Sequence, residues 1–259
     1  MPLKISCKSS LKESRCGGIT LLLCLLAFCL FAAGCAGGSK ASSLPAGESR
    51  VEAAPQDSLR AKFKLTIVQN GDDQNLDAVL FSVPGKRYRL ELTGPMGIGV
   101  ASMLWTEEGW TMTFPTEKLY VKGAGYMVGL LNDNTLPLVH IHQVAALFEG
   151  KLLPEISGEV PKDGENVEAV DVNGRHFTYD RQDSRVIRLS YAGRDGKPET
   201  LRYSDFREFE GQTLPETIVF ERDGKRFLEI KVKKVNHGKP FSSGTWKLNV
   251  PRSFKPVAQ

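Results

Sequence analysis

Arg87-Tyr88-Arg89-Leu90-Glu91-Leu92-Thr93-Gly94-Pro95-Met96-Gly97 alternates charged and apolar side chains over six residues and then stops at a glycine-proline turn. A period of two is the signature of a half-buried strand, with Tyr88, Leu90 and Leu92 facing inward. Upstream, Phe63, Leu65 and Ile67 alternate with Lys62, Lys64 and Thr66, and Leu76 to Val83 forms a second strand ended by Pro84-Gly85. Downstream, Val100 to Thr106, Gly109 to Phe114 and Lys118 to Lys122 continue the meander. Short strands at such regular spacing predict an antiparallel sandwich or barrel.

The pattern changes near Gly125. Tyr126, Met127, Leu130 and Leu131 have helical spacing, Leu136-Pro137-Leu138 interrupts, and Ile141, Val144, Ala145 and Phe148 recur at three and four. This predicts a broken helix, with its second segment from about Val139 to Phe148 and a stop at Gly150. After a polar loop, Val167 to Val172 and Arg175 to Tyr179 flank Asn173-Gly174, a strong hairpin signal. Val186 to Tyr191, Glu199 to Phe206, Thr217 to Arg222, Arg226 to Val235 and Thr245 to Val250 read as further strands, with a turn at Asp223-Gly224. No repeat at a solenoid or propeller period is present.

The N-terminal segment carries a different message. Lys4, Lys8, Lys12 and Arg15 precede an apolar run from Ile19 that ends in Ala32-Ala33-Gly34-Cys35. A basic head, an apolar core and small residues before a cut make a secretory signal. The last four residues resemble the bacterial lipobox, whose cysteine is acylated and becomes the first residue after cleavage. An ordinary signal peptide or an uncleaved anchor helix is the alternative. All five cysteines lie at or before Cys35, so no disulfide framework or cysteine metal site is expected downstream. The first 34 residues hold four basic residues and one acid, a net of +3, which leaves +1 of the chain's +4 for the remainder. A nucleic-acid binder would need clustered basic charge, and none is evident. The expected organisation is a signal peptide at 1–34, a lipidated cysteine and flexible tether at 35–57, one domain at 58–250 and a tail at 251–259.

Catalytic and metal chemistry find little purchase. The sequence has no G-x-S-x-G elbow, no P-loop and no dinucleotide fingerprint. His140 and His142 stand two apart, about 200° around a helix, which does not suit a shared metal. Glu107-Glu108 and Glu208 with Glu210 read as solvated charge rather than a glycosidase pair. No catalytic residue, metal site or cofactor is expected. More telling, several strands are apolar on both faces: Ala101, Met103 and Trp105 alternate with Val100, Ser102 and Leu104. Such a sheet is either a fully packed core or the wall of an apolar hollow roofed by the helix.

The Arg87 to Gly97 stretch resembles the matching R-Y-R-L-x-L-T-N-P-L-G segment of the outer-membrane lipoprotein receptor family LolB. The order of later elements agrees, including the Tyr126-led helical segment and Leu214-Pro215-Glu216-Thr217 near the end. The resemblance implies a mainly β, α+β fold: an open, curved antiparallel sheet, an unclosed barrel, with a broken helical plug or lid. It implies a non-enzymatic protein that accepts acylated lipoproteins from a periplasmic carrier of LolA type and inserts them into the outer membrane. The alternative is a lipid-binding or structural envelope lipoprotein on the same scaffold without insertase activity. In the family a leucine protrudes from the loop after the T-N-P stretch. Met96 stands at that position, with Ile98 beside it, while Gly94 replaces the family asparagine.

On this footing Leu65, Ile67, Leu90, Leu92, Met103, Trp105, Met127, Leu131 and Phe148 are the expected wall of an acyl-chain cavity. Met96 and Ile98 are the expected membrane-engaging loop, and Cys35 the lipidation site. The expected partners are lipoprotein acyl chains, the carrier and the bilayer, without nucleic acid. Ala36 rather than aspartate follows the cysteine, so by analogy with enteric bacteria the protein is expected on the inner leaflet of the outer membrane, facing the periplasm.

Overall fold

The alternating segments pair into one sheet in the computed structural model, which describes residues 58–69, 71–125, 139–156, 161–193 and 195–257. Cys35, Met127 and Leu131 lie outside these residues, as do the first helical segment and the proposed tether. The strands are β1 (Leu59–Gln69), β2 (Asp72–Val83), β3 (Arg87–Thr93), β4 (Gly99–Thr106), β5 (Gly109–Phe114) and β6 (Leu119–Gly123). After the helix α1 (Ile141–Phe148) come β7 (Gly164–Val170), β8 (His176–Gln182), β9 (Arg185–Ala192), β10 (Pro198–Phe209), β11 (Gln212–Arg222), β12 (Lys225–His237) and β13 (Lys255–Pro256).

The 13 strands form a single open sheet in the order β13-β6-β5-β4-β3-β2-β1-β12-β11-β10-β9-β8-β7. Neighbours are antiparallel except β13, which runs parallel to β6. The mainly β, unclosed architecture agrees with the expectation, with α1 as the one helix longer than a short turn among the described residues.

Alternation sets one face of this sheet against the core. On β1, Leu59, Ala61, Phe63 and Leu65 are buried while Arg60, Lys62 and Lys64 are exposed. The same face collects Leu80, Leu90, Met103, Trp105, Ile230 and Val232, all nearly inaccessible. At ~25 cal/mol per Å² of apolar area, this cluster is the main stabilising term.

α1 lies on that apolar face. Ile141, Val144, Ala145 and Phe148 form its buried stripe. Gly150 ends the helix with φ of 76°. Its amide donates to Leu147 O and the Lys151 amide donates to Ala146 O, the paired bonds of a Schellman stop. Phe148 packs on Phe63 of β1 with ring centroids 4.9 Å apart. His142 meets Trp105 of β4 edge-on at 4.5 Å and Tyr88 of β3 at 4.9 Å. On its other side Gln143 lies beside Tyr191 of β9.

These contacts measure the curvature. Seven strand spacings separate β4 from β9, about 34 Å in a flat sheet. An eight-residue helix is only about 12 Å long, so the sheet must curl around it for one helix to touch both.

Three local expectations need correction. Thr245 to Val250 is not a strand; Ser243–Trp246 is a 3-10 turn. There Phe241 packs edge-on against Phe81 at 5.5 Å, and Arg87 lies over the Trp246 ring at 4.5 Å. Arg89 Nη1 donates to the carbonyls of Gly244, Thr245 and Lys247, which removes them from any ladder. Phe241 of this strap thereby covers Phe81 on the second face of β2, and the chain then joins the sheet edge as β13.

Second, β10 and β11 run to Phe209 and from Gln212, longer than read. Pro215 is tolerated because β11 comes into register with β12 only from Thr217. Third, Asn173-Gly174 turns a hairpin, but only Gly174 has positive φ. The Asp171 carboxylate accepts the Asn173 and Arg175 amides and sets the loop's shape instead.

Candidate functional site

The loop between β3 and β4 is held by its own backbone. Gly94 N–H donates to Ile98 O at 2.8 Å, and Gly97 N–H donates to Gly94 O at 3.3 Å. Closure this tight leaves Met96 at φ 59° and ψ 19°, the left-handed region, which costs a non-glycine residue about 1–2 kcal/mol. Gly97 beside it takes φ of 77°, where glycine is at ease. The outcome is a methionine side chain that is 94% exposed, with Ile98 53% exposed next to it. A Cβ at Gly94 would lie 3.2 Å from Val100 Cγ2, so the glycine permits close return of the chain to β4.

Strand direction places this loop at one end of the sheet. Tracing the antiparallel order puts the β1–β2, β3–β4, β5–β6, β7–β8, β9–β10 and β11–β12 connections at that end. Val172, the remaining large apolar residue exposed among the described ones, sits in the β7–β8 connection. All three exposed apolar side chains therefore share one rim. The N-terminus of β1, where residues 35–57 would join, lies at the opposite end.

Of the nine expected wall residues, the structure brings seven together. Leu65, Leu90, Met103, Trp105 and Phe148 are buried in one cluster, and Ile67 and Leu92 pack against it half-buried. They are filled by one another and by α1. Sequence reasoning missed Phe63, Tyr88, Ile141, Val144 and Tyr191, which share the contact with the helix side. The inward phases of β1 and β3 and the helical stripe were the signals for the first four; nothing local pointed to Tyr191.

Two open hollows border this face, and neither is lined by the expected wall residues. One, of about 400 Å³, lies along β7 to β10 by Phe177 and Tyr191. The other, of about 640 Å³, lies between the chain after α1 and the far ends of β8 to β11.

The polar ties across the face are few. Tyr191 stands between Gln143 and Glu199, and burial pushes its phenol up to about 12. Burial likewise raises the Glu199 carboxyl. Tyr203 Oη donates to Leu152 O at 2.9 Å and pins the chain just after α1 to β10. The His142 imidazole is lowered from its usual value, first by burial and then by His140. His140 precedes the first turn of α1, so the two histidines act as packing groups here. Among the described residues no cluster of three or more His, Cys, Asp or Glu could hold a metal ion.

No family model matches this chain, and no curated protein matches it. Solved structures do. A DUF1329 family protein from Desulfovibrio piger superposes with a TM-score of 0.52 at 14% identity, covering 76% of this chain and 92% of that one. A LolA superfamily protein from Nitrosomonas europaea gives 0.46 at 14% identity over 73% and 90%. A putative outer membrane lipoprotein-sorting protein domain from Vibrio parahaemolyticus gives 0.46 at 11% identity over 74% and 90%. At such identity the first likeness is one of fold, and the other two are too loose to carry more.

Proposed function

We propose that this chain is a lipid-anchored envelope protein that receives the acyl chains of lipoproteins on its curled apolar face and delivers them to a bilayer. The observation that carries the reading is the exposed, backbone-strained Met96, with Ile98 beside it, on the rim of that face. A methionine held in solvent at an energetic cost has no role in the core. It suits insertion among lipid tails, where its flexible thioether adapts to neighbours.

The energetics give such a protein work to do. Each methylene in water costs about 0.8 kcal/mol, so a chain of about fifteen carbons costs roughly 12 kcal/mol. Cargo must therefore stay covered until it reaches the bilayer. α1 acts as the plug: it shields Phe63, Tyr88 and Trp105 at rest and gives way to acyl chains of similar apolar area. Such an exchange is close to balanced, so cargo enters without being trapped. Lipidation at Cys35 holds the body at the membrane, and a periplasmic carrier of LolA type supplies the cargo. No bond is made or broken.

The test is transfer of an acylated cargo from carrier to bilayer, with Met96→Glu as the variant. Delivery that stalls while cargo is still accepted supports the reading; unimpaired delivery overturns it. Lipid binding without cargo transfer by the unsubstituted protein would favour a lipid-binding envelope protein on the same scaffold.

A further inference from the structure

The 640 Å³ hollow lies at the sheet end away from Met96, where the β8–β9 and β10–β11 turns sit. Its size falls within the ~300–1,000 Å³ of small-molecule sites. Leu152, Leu153, Val186 and Phe206 give it an apolar floor. Arg181, Arg185 and Glu155 also line it.

Charge along this hollow is not cancelled within the protein. Lys151, which also borders the hollow, is paired with Glu149 at 2.9 Å. Neither arginine has a carboxylate within ion-pair distance among the described residues. The Arg185 guanidinium lies over the Phe206 ring, 5.5 Å from its centroid. Arg181 donates from Nη2 to Ser184 O at 2.6 Å, while its Nε is buried and has no acceptor. Two guanidiniums above an apolar floor match a molecule with an anionic head and an alkyl tail.

We propose that this groove is a separate binding site for an anionic single-chain lipid. The alkyl chain lies on Leu152, Leu153, Val186 and Phe206, and the phosphate or carboxylate head lies on Arg181 and Arg185. The site shares with the proposed function only the premise that the chain meets lipid; it neither uses Met96 nor requires cargo transfer.

The experiment photolabels the full chain in phosphatidylcholine nanodiscs. The probes are a diazirine-bearing palmitoyl lysophosphatidic acid and its lysophosphatidylcholine counterpart, with cross-linked peptides located by mass spectrometry. The expected result is label in peptides spanning 150–156 and 181–186, about tenfold stronger for the anionic probe at low salt. Arg181→Glu with Arg185→Glu should abolish that preference. Arg181→Lys with Arg185→Lys, which keeps the charge, should retain most of it and controls for folding. Glycerol 3-phosphate alone should compete at least tenfold more weakly than the whole amphiphile, because it leaves the floor bare. Equal labelling by both probes, label absent from these peptides, or full competition by glycerol 3-phosphate at the same concentration overturns the site. Labelling that survives Met96→Glu while transfer fails separates this site from the tip.

Discussion

Gln143 of α1 lies beside Tyr191 of β9, while His142, its neighbour in sequence, rests against Trp105 of β4. Adjacent residues of one short helix thus tie strands that lie seven spacings apart in the sheet. Loss of this tie should loosen the curl. Tyr191→Phe and Gln143→Ala should each cost about 1 kcal/mol, and the double variant little more than either. Urea unfolding of all three variants checks the coupling, and faster amide exchange in α1 should accompany it.

Phe148 should be far more sensitive. It is 1% exposed and packs on Phe63 at 4.9 Å, so Phe148→Ala leaves a cavity in the middle of the contact between helix and sheet. A loss of roughly 3–5 kcal/mol is expected, read as a fall in urea midpoint.

Met96 should behave in the opposite way. Replacement with glycine relieves the left-handed strain and removes no buried contact. Met96→Gly should therefore leave stability unchanged or raise it by up to about 1 kcal/mol. The same variant should bind neutral vesicles more weakly in a flotation assay. A variant that is stable yet fails at the bilayer would mark the residue as functional.

Stability should fall as the solution is made mildly acidic. His142 is lowered from 6.5 by burial and by His140, so the unfolded chain takes up this proton more readily than the folded one. Its contribution is complete above 6.5 and is lost as the pH drops from there through the depressed folded value. The thermal midpoint should be lower at pH 5.5 than at pH 7.5, and His142→Phe should flatten the difference. An unchanged slope in that variant would rule out His142 as the source.

Arg89 should hold the strap. Its guanidinium serves three carbonyls between Gly244 and Lys247, and Phe241 covers Phe81 alongside. Arg89→Ala should leave the sheet folded but expose residues 240–257 to proteolysis, detected as early cleavage there by mass spectrometry.

Much of the strand content was legible because it rests on neighbours in sequence. The period of two in Arg87 to Leu92 sets which side chains face inward. Asp223-Gly224 turns with both residues at positive φ, as that pair predicts for a two-residue hairpin. Gly150 stops α1 because it alone can take the left-handed position at low cost. The exposed Met96 loop was legible through its resemblance to a known segment, not through periodicity.

The curl, the strap and the cationic groove were decided only in three dimensions. Arg89 finds its carbonyls about 155 positions along the chain, and Arg181 and Leu152 line one hollow although no local pattern links them. Pro215, a poor strand residue by propensity, sits in a strand because its backbone falls where one neighbour is missing. Local alternation states which face of a strand is apolar. What covers that face depends on partners distant in the chain, and their contacts form only when the sheet has bent around the helix.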